Sequence, residues 1–367
     1  MSAPTTFHGW VCHGKDAPMK WEEMKIRAED DYCVDMDVTD CGLCGTDIHT
    51  MDANWVSPRY PLCGHEIASI CTRVDSKVQN VKVGDRIGVG TQSGSCHRAE
   101  CPACSTGNEN LCPIQLFFTY NSVWPNGDEA YGGYADKWRG DCRFVFKIPD
   151  ILSNEIACIV FCAGVATYAP LKRHNVNADS VVGVMGLGGL GHYGILWAKA
   201  MGAKVFTMSH NDRKHDVALE LGADDYIGTN AAEHLTKYTG KFSHILCTGI
   251  SPDFKWKTYT PLFKPNGVFI NVNLPEWNFP EISPMLLVAS QVNICGSAIG
   301  SPIEIEDMLQ FAAKTVLKPY LPTYPMKEAP QAVADFNAGK PRFRFVLKDL
   351  LFVCVLSKYK AGGLSPI

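Results

Sequence analysis

One segment restricts the possible folds of this chain more than any other, a glycine-rich turn between a strand-like run and a helix-like run. Five apolar residues, 181–185, precede the turn, and a helix-like stretch covers residues 191–201. The turn itself has the pattern G-x-G-x-x-G and reads Gly186-Leu187-Gly188-Gly189-Leu190-Gly191. In this context the pattern is typical of a dinucleotide site, because glycine admits a pyrophosphate close to the backbone and the helix N-terminus offers free N–H groups. A tight turn without a ligand is the disfavoured alternative.

The surroundings of the turn predict the rest of its domain. Strand-like runs at 204–208, 244–247 and 267–272 alternate with helix-like runs such as 213–221. This alternation predicts an α/β fold with a doubly wound parallel sheet, the Rossmann architecture. Residues 1–149 differ, because short alternating runs there are interrupted by glycine, proline and aspartate, which predicts a β-rich domain.

The end of the strand after the turn indicates which dinucleotide binds. An NAD site usually has an acidic residue there to bind the ribose 2′-hydroxyl. Here Ser209 and His210 follow residues 204–208 without an acid, and Arg213 and Lys214 come shortly after. Hydroxyl and basic groups suit a 2′-phosphate, so the sequence favours NADP over NAD. Alternatively, Arg213 and Lys214 are solvated charges of the next helix.

Sixteen cysteines in 367 residues indicate metal sites rather than a disulfide framework, because nothing in the sequence indicates secretion. Four of them lie in one polar loop with four, two and seven residues between them: Cys96, Cys101, Cys104 and Cys112. A set of four cysteines closes the tetrahedral shell of Zn²⁺, so this loop predicts a structural zinc site, with His97 as a substitute ligand. A zinc-based nucleic-acid-binding module is the alternative.

Charge and hydropathy exclude other classes of function. The chain carries 34 Lys and Arg against 38 Asp and Glu, a net charge of −4, which argues against nucleic-acid partners. The sequence has no apparent signal peptide and no run of about 18 apolar residues. It therefore predicts a cytoplasmic protein with no membrane partner.

A second set of metal-type residues is scattered along the chain, and spacing alone does not assemble it. It comprises C-G-L-C-G-T-D-I-H at 41–49, G-H-E at 64–66 and C-A-G at 162–164. Cys41 and Cys44, two residues apart, are as compatible with a redox pair as with a catalytic metal.

Together these motifs resemble the zinc-dependent medium-chain alcohol dehydrogenases, specifically the cinnamyl-alcohol-dehydrogenase-like, NADP-preferring branch. The resemblance spans about residues 7–349 and also includes Y-G-G-Y-A-D at 131–136, G-A-D-D-Y-I at 222–227, G-S-A-I-G at 296–300 and R-F-R-F-V-L at 342–347. It implies a GroES-like catalytic domain formed by 1–153 and 295–349, with a Rossmann NADP-binding domain at 154–294. Residues 350–367 match no part of the family and stay unassigned.

The resemblance also assigns roles at the catalytic centre. Cys44, His65 and Cys162 would hold a catalytic zinc. Glu66 would lie near enough to approach the metal, and Asp47 would orient the ligand histidine.

A proton relay and a nicotinamide site are implied in the same way. Thr46 would take the proton of the alcohol, and His49 would pass it on by way of the cofactor ribose. Four residues match family positions near the nicotinamide: Thr248, Ser297, Ala298 and Ile299. Arg344 is a candidate for a phosphate or cofactor contact and, equally, for a surface ion pair.

The implied enzyme is a zinc-dependent, NADP(H)-linked oxidoreductase with two zinc ions per chain. It would interconvert primary aromatic or medium-chain alcohols and aldehydes by hydride transfer, with Zn²⁺ stabilising the alkoxide. Its partners would be the small-molecule substrate and a second copy in a homodimer. Aromatic residues available for the substrate pocket are Trp55, Phe117, Phe118 and Trp124. The alternatives are a reductase of an iminium or conjugated double bond on the same fold, and a non-catalytic zinc- or dinucleotide-binding protein.

Three departures from the family pattern bear on these roles. The segment before G-H-E is one residue short, and Cys63 replaces the usual proline, so this cysteine is a competing ligand. The cysteine loop has two extra residues between Cys96 and Cys101. Ala166 stands where the family commonly has a nicotinamide-facing threonine, and the neighbouring Thr167 is expected to point elsewhere.

Overall fold

The computed structural model describes residues 4–15, 17–54, 62–230, 233–340 and 342–349. The chain divides into two compact units, one made of Met1–Cys162 with Tyr320–Ile367 and the other of Ala163–Pro319. The pocket candidate Trp55 and the unassigned tail 350–367 lie outside the described residues.

The strands follow in chain order. They are β1 (Thr6–Val11), β2 (Lys20–Lys25), β3 (Cys33–Leu43), β4 (Ile67–Val74), β5 (Arg86–Val89), β6 (Gln92–Ser95), β7 (Leu116–Phe118), β8 (Lys137–Asp141), β9 (Phe146–Lys147), β10 (Val181–Met185), β11 (Lys204–Ser209), β12 (Asp225–Gly228), β13 (Phe242–Cys247), β14 (Phe263–Asn271), β15 (Asn293–Gly296), β16 (Thr323–Pro325) and β17 (Phe345–Lys348).

The α-helices concentrate in the second half of the chain. They are α1 (Gly45–Met51), α2 (Asn154–Ile159), α3 (Val165–Arg173), α4 (Gly191–Ala200), α5 (His215–Glu220), α6 (Glu233–Thr236), α7 (Trp256–Tyr259), α8 (Pro284–Ser290), α9 (Pro302–Ala313) and α10 (Ala329–Asn337). A single π-helical turn, Val160–Gly164, joins α2 to α3.

The first unit is built on a largely antiparallel sheet with the strand order β16-β17-β3-β4-β5-β9, in which β8 also pairs with β3. Strands β3 and β4 pair antiparallel with Cys41 opposite Ile67. The chain leaves β3 after Leu43 and enters β4 at Ile67. As a result, Cys44 and Glu66 emerge at the same end of the sheet, although 21 residues separate them.

The second unit is a six-stranded parallel sheet with the order β12-β11-β10-β13-β14-β15. Numbered from β10, this is the 3-2-1-4-5-6 order of the Rossmann fold, so the predicted fold class is confirmed. Strand β10 has the predicted bounds, and α4 ends one residue before the predicted helix end. The predicted helix at 213–221 begins as a 3₁₀ turn, Asp212–Lys214, and continues as α5.

The unit boundaries differ from the predicted limits of 154–294. Helix α2 lies with the first unit, because it packs on β3 and the Asn154 side-chain amide donates a hydrogen bond of 2.7 Å to Thr39 Oγ1. Helix α9 lies with the second unit, because it packs on α3 and the Tyr168 hydroxyl donates to Asp307 Oδ2 at 2.6 Å.

The helical run Asn154–Arg173 is one that the sequence prediction overlooked. Its 20 residues are long and apolar enough to cross a membrane by length and composition alone. Its most apolar window is 78% buried inside the protein. This burial is what a core helix of a folded domain has, since such helices are apolar on all sides.

Candidate active site and zinc centres

The first unit brings together the scattered metal-type residues. One potential ligand atom from each of Cys44, His65, Glu66 and Cys162 lies within 4.8 Å of the others, and all four residues are buried. Cys44 precedes α1, His65 and Glu66 precede β4, and Cys162 lies in the π-helical turn after α2. Single π-helical turns often re-aim a side chain at a functional site, as this one aims Cys162.

Asp47 fixes the orientation of His65. Its carboxylate is fully buried, and Oδ1 lies 3.3 Å from His65 Nδ1. With Nδ1 held in this way, His65 Nε2 is buried and has no hydrogen-bond partner in the described part of the chain. A histidine that donates from one nitrogen to a carboxylate and leaves the other free has the arrangement of a metal ligand.

The two sulfurs of the set share a hydrogen bond that sets their acidities in opposite directions. The Cys162 thiol donates to the Cys44 sulfur, and this bond holds the pKa of Cys44 well below its usual range. The same bond, together with burial, raises the pKa of Cys162. A thiolate, a second thiol and an imidazole around one point form the donor set that Zn²⁺ prefers, and three such ligands leave its fourth position open.

Glu66 is held beside the set by Arg344. The Arg344 guanidinium donates from Nη1 to Glu66 Oε1 at 3.0 Å, while Oε2 is buried without a partner among the described residues. Burial raises the pKa of Glu66 to about 7. Arg344 is only 3% exposed, so it is neither a surface ion pair nor open to a phosphate. Both predictions for Arg344 are therefore wrong, because Arg344, the residue just before β17, is buried against Glu66.

The predicted relay residues lie on α1. Thr46 and His49 are three residues apart, so they occupy the same face of the helix, and both are half-buried. Asn54 donates from Nδ2 to His49 Nδ1 at 3.2 Å when that nitrogen is unprotonated. The proton of a neutral His49 then resides on Nε2.

The four-cysteine loop forms a second ligand set. The sulfurs of Cys96, Cys101, Cys104 and Cys112 lie within 4.8 Å of one another, although the loop carries two extra residues. The Cys96 and Cys104 sulfurs are 3.7 Å apart, and those of Cys101 and Cys112 are 3.8 Å apart. This geometry fits a closed tetrahedral site. His97 stays outside it, with its ring packed against Phe144 at 5.5 Å.

Two further cysteines do not join either set. Cys41 is a free thiol inside the hydrophobic core on β3, and burial raises its pKa well above its usual range. Cys44 is also a free thiol but belongs to the metal-type set, so the structure contains no Cys41–Cys44 redox disulfide. Cys63 packs in the same core, with its sulfur 3.9 Å from the Asp47 carbonyl oxygen, and is not a competing ligand.

In the second unit, each glycine of the turn meets a different steric demand. Gly186 has φ +90°, and a Cβ there would lie 2.8 Å from Gly249 N. A Cβ on Gly188 would meet nothing within 4 Å, which leaves an open surface. A Cβ on Gly191 would lie 2.0 Å from Gly186 O. In a dinucleotide fingerprint the first glycine forms the tight turn, the second lets the pyrophosphate approach the backbone, and the third allows close packing of the helix. Gly186, Gly188 and Gly191 meet these three demands in that order.

The other predicted cofactor residues lie where parallel strands end. Ser209 ends β11, and the residues after it are mostly exposed, among them His210 and Arg213. Lys214 donates from Nζ to the carbonyl of Leu187 at 2.6 Å, so it braces the glycine-rich turn. Gly189 and Leu190 complete that turn before α4.

Residues after β13 and β15 lie along the same carboxyl edge of the sheet. The Thr248 hydroxyl donates to Gly186 O at 2.6 Å and so supports the turn. Ser297, Ala298 and Ile299 follow β15, and the Ser297 hydroxyl oxygen is buried without a partner in the described chain. Ile299 has φ +40°, which an isoleucine rarely adopts.

The aromatic residues near these sites differ in burial. Phe117 and Trp124 stack on each other at 4.8 Å in a small buried cluster, whereas Phe118 is 43% exposed. Tyr120, which the sequence analysis missed, stacks on His65 at 5.5 Å. The Thr167 hydroxyl is buried and donates to the carbonyl oxygen of Ala163 at 2.8 Å.

A Rossmann sheet with a dinucleotide turn and a β-rich unit with two zinc-type ligand sets define a class, the metal-dependent nicotinamide oxidoreductases. Comparison with known proteins identifies the family within this class. Residues 30–150 match the model of the alcohol dehydrogenase GroES-like domain, and residues 189–314 match that of the zinc-binding dehydrogenases.

Similar proteins cover nearly the whole chain. NADP-dependent alcohol dehydrogenase C 1 of Mycolicibacterium smegmatis is 36% identical over 94% of this chain and 98% of its own length. Cinnamyl alcohol dehydrogenase 2 of Rauvolfia serpentina is 35% identical over 94% of this chain and 95% of its own.

Solved structures of cinnamyl alcohol dehydrogenases are also similar to this chain over nearly its whole length. A cinnamyl alcohol dehydrogenase of Sorghum bicolor superimposes with a TM-score of 0.87 at 30% identity, over 94% of this chain and 97% of that one. The cinnamyl alcohol dehydrogenase of Helicobacter pylori, complexed with NADP(H), has a TM-score of 0.84 at 29% identity, over 94% and 98%.

The chain belongs to the zinc-dependent alcohol dehydrogenase family. It is therefore an oxidoreductase, and the predicted family, fold class and enzyme class are confirmed. The predicted cofactors, zinc and NADP, agree with the family model and with the names of the relatives.

Proposed function

We propose that this protein interconverts primary aromatic or medium-chain alcohols and aldehydes with NADP(H). The observation that carries the proposal is the buried set of Cys44, His65 and Cys162, in which His65 Nε2 has no protein partner among the described residues. The names of relatives, which include NADP-dependent and cinnamyl alcohol dehydrogenases, support the same substrate class.

Zn²⁺ held by these three residues would supply a Lewis acid for the oxygen of the substrate. The chain's own residues do the remaining work. Asp47 holds His65 in the tautomer that leaves Nε2 free. The Thr46 hydroxyl accepts the proton of the alcohol during oxidation, and His49, one helical turn away, passes it on.

The glycine-rich turn would bind the dinucleotide by its pyrophosphate, at the open surface over Gly188 and the start of α4. Ser209 would lie beside the ribose, where its hydroxyl can donate a hydrogen bond to a 2′-phosphate that a carboxylate would repel.

The Thr46→Val variant tests this proposal, with Thr260→Val as its matched control. The Thr260 hydroxyl is buried, belongs to the other unit and donates at 2.8 Å to the carbonyl oxygen of Trp256, the first residue of the preceding helix α7. We expect Thr46→Val to retain two zinc ions per chain but to lose about 10²- to 10⁴-fold in kcat for cinnamaldehyde reduction by NADPH. The control should keep wild-type kcat.

The outcomes separate the alternatives. Wild-type protein that reduces no aldehyde and oxidises no alcohol with either cofactor would refute the proposal. An iminium or conjugated double-bond reductase would show turnover on those substrates that Thr46→Val leaves unchanged.

We also propose a homodimer in which the outer edges of two β15 strands pair. Strand β15 is the last strand of its sheet, and three of its four residues are exposed. Large apolar side chains are exposed nearby in sequence, Ile294 at 41%, Val288 at 75% and Met285 at 72%. An edge strand beside apolar residues pairs well with its own copy across a two-fold axis.

Sedimentation velocity tests the dimer. Ile294→Lys should give monomers, whereas Val83→Lys, which places the same charge at an exposed valine of the first unit, should stay dimeric. A monomeric wild-type protein would contradict the proposal. The cytoplasmic location stays a prediction, to be tested by cell fractionation.

A further inference from the structure

The Asp47 carboxylate receives more hydrogen bonds than orienting one histidine requires. Oδ2 accepts from the Cys44 backbone N–H at 2.8 Å and from the Tyr134 hydroxyl at 2.9 Å. Oδ1 accepts from the Gly64 backbone N–H at 3.2 Å and lies 3.3 Å from His65 Nδ1. Four donors fill the acceptor sites of an ionised carboxylate. Asp47 is fully buried, and burying a charge is tolerated only with such compensation.

Of these donors, Tyr134 alone is a side chain from a distant part of the sequence. Its segment is bonded to the chain that carries His65: Gly132 N donates to Leu62 O at 2.7 Å, and Tyr134 N donates to Cys63 O at 3.0 Å. A Cβ on Gly132 would lie 2.4 Å from Cys63 O, so only glycine permits this approach. The hydroxyl of Tyr134 is thereby held at Asp47.

We propose that Tyr134 is a positioning residue of the catalytic zinc centre, acting through Asp47 on His65. Its hydroxyl stabilises the negative charge of Asp47, and that charge keeps the proton of His65 on Nδ1. The lone pair of Nε2 is then directed towards the sulfurs of Cys44 and Cys162. This inference rests on the proposed function, because it assumes that zinc binds at these three residues.

Tyr120 also interacts with the Asp47 carboxylate through its hydroxyl, but unlike Tyr134 it touches His65 as well. Its ring stacks on His65, and its hydroxyl lies 3.4 Å from Nδ1, farther than the Asp47 oxygen and at a weaker hydrogen-bonding distance. Tyr134 contacts the carboxylate and not the imidazole, so its removal changes the charge that holds His65 without opening space beside the ring.

The test is the release of zinc into a chromogenic chelator, measured on the intact holoprotein with the Tyr134→Phe variant. Losing a group that supports a metal ligand costs about 10- to 100-fold in affinity, so we expect release from the catalytic site to be about tenfold faster. Zinc at the four-cysteine site serves as an internal reference and should leave at the wild-type rate. A cobalt-substituted sample should show shifted ligand-field bands.

Tyr168→Phe is the matched control. Tyr168 is also fully buried, and its hydroxyl also donates to a carboxylate, Asp307, but in the second unit. It should remove a buried tyrosine hydroxyl without changing either rate of zinc release. Asp47→Asn supplies a second variant, and adding Tyr134→Phe to it should accelerate release no further, because the path through Asp47 is already broken.

The outcomes separate the two proposals. Unchanged release in Tyr134→Phe, or equal acceleration at both zinc sites, would overturn the role of Tyr134 and leave the proposed function standing. An additive effect of the two substitutions would also overturn it. A wild-type protein that binds zinc only at the four cysteines would overturn both proposals.

Discussion

Replacing Gly188 or Gly191 by alanine separates two demands on the glycine-rich turn, an open surface for a pyrophosphate and close packing inside the protein. At Gly188 an added Cβ meets no heavy atom within 4 Å, and φ is not in the left-handed region. At Gly191 an added Cβ would lie 2.0 Å from Gly186 O, whereas real Cβ contacts stay above 3.0 Å. Substitution by alanine should therefore weaken dinucleotide binding at Gly188 and destabilise the fold at Gly191.

The magnitudes follow from these distances. In Gly191→Ala the first turn of α4 must move away from Gly186 by about 1 Å, an overpacking that costs about 1–3 kcal/mol of folding free energy. For a domain of this size each kcal/mol lowers Tm by roughly 2–4 °C. Gly188→Ala should change the stability by less than about 0.5 kcal/mol, as surface substitutions do.

For the affinity of NADPH we expect the opposite order, with the larger effect in Gly188→Ala. A methyl group at position 188 would stand between the backbone and the pyrophosphate, at a cost of about 1–3 kcal/mol. This corresponds to a Kd that is roughly 5- to 150-fold higher. Thermal unfolding without cofactor measures the first effect, and titration of NADPH fluorescence measures the second. Wild-type NADPH affinity in Gly188→Ala, or wild-type Tm in Gly191→Ala, would refute the reasoning.

Three further predictions concern the metal loop, the cofactor and the pH. Cys104→Ser should reduce zinc from two ions to one per chain and lower Tm, as atomic absorption and calorimetry would show; two retained ions would contradict a structural site at this loop. Ser209→Asp should lower the ratio of kcat/KM for NADPH over NADH by at least about tenfold, because a carboxylate repels the 2′-phosphate; an unchanged ratio would reject this position. Burial raises the pKa of Asp40 from 3.8 to about 6, so the native state binds this proton more tightly than the unfolded state, and stability falls as the pH rises from about 4 through about 6. Asp40→Asn should remove this loss, on the order of 3 kcal/mol, in urea unfolding between pH 4 and pH 7; the wild-type slope in the variant would exclude Asp40 as its cause.

Local sequence patterns were sufficient for the glycine-rich turn of the second unit and for the strand and helix on either side of it. Strand β10 and helix α4 have the predicted positions within one residue, because an apolar run, a glycine-rich turn and an amphipathic helix each form from neighbouring residues. The four-cysteine loop was predictable for the same reason, since its ligands lie within 17 residues and meet without help from distant strands.

The catalytic set was not predictable from spacing. Cys44, His65 and Cys162 lie far apart in the sequence, and only the antiparallel pairing of β3 with β4 and the π-helical turn after α2 bring them together. Family resemblance identified these residues and Asp47 as the support of His65, but it did not identify the partners of the buried charges of Asp47 and Glu66. Arg344 was expected at a phosphate or on the surface, and the structure buries it against Glu66 instead.

The sequence by itself determined the class of fold, the dinucleotide turn and the identity of the candidate ligands, because these depend on residue types in short or recognisable patterns. The tertiary structure decided which cysteines are ligands and which are core, because it packs Cys41 and Cys63 among apolar residues and brings Cys44 beside His65 and Cys162. It also decided the partners of the buried charges, Tyr134 for Asp47 and Arg344 for Glu66. A buried charge is too costly without a hydrogen-bonding partner. Which residue provides that partner depends on the packing of distant parts of the chain, and the sequence alone does not show it.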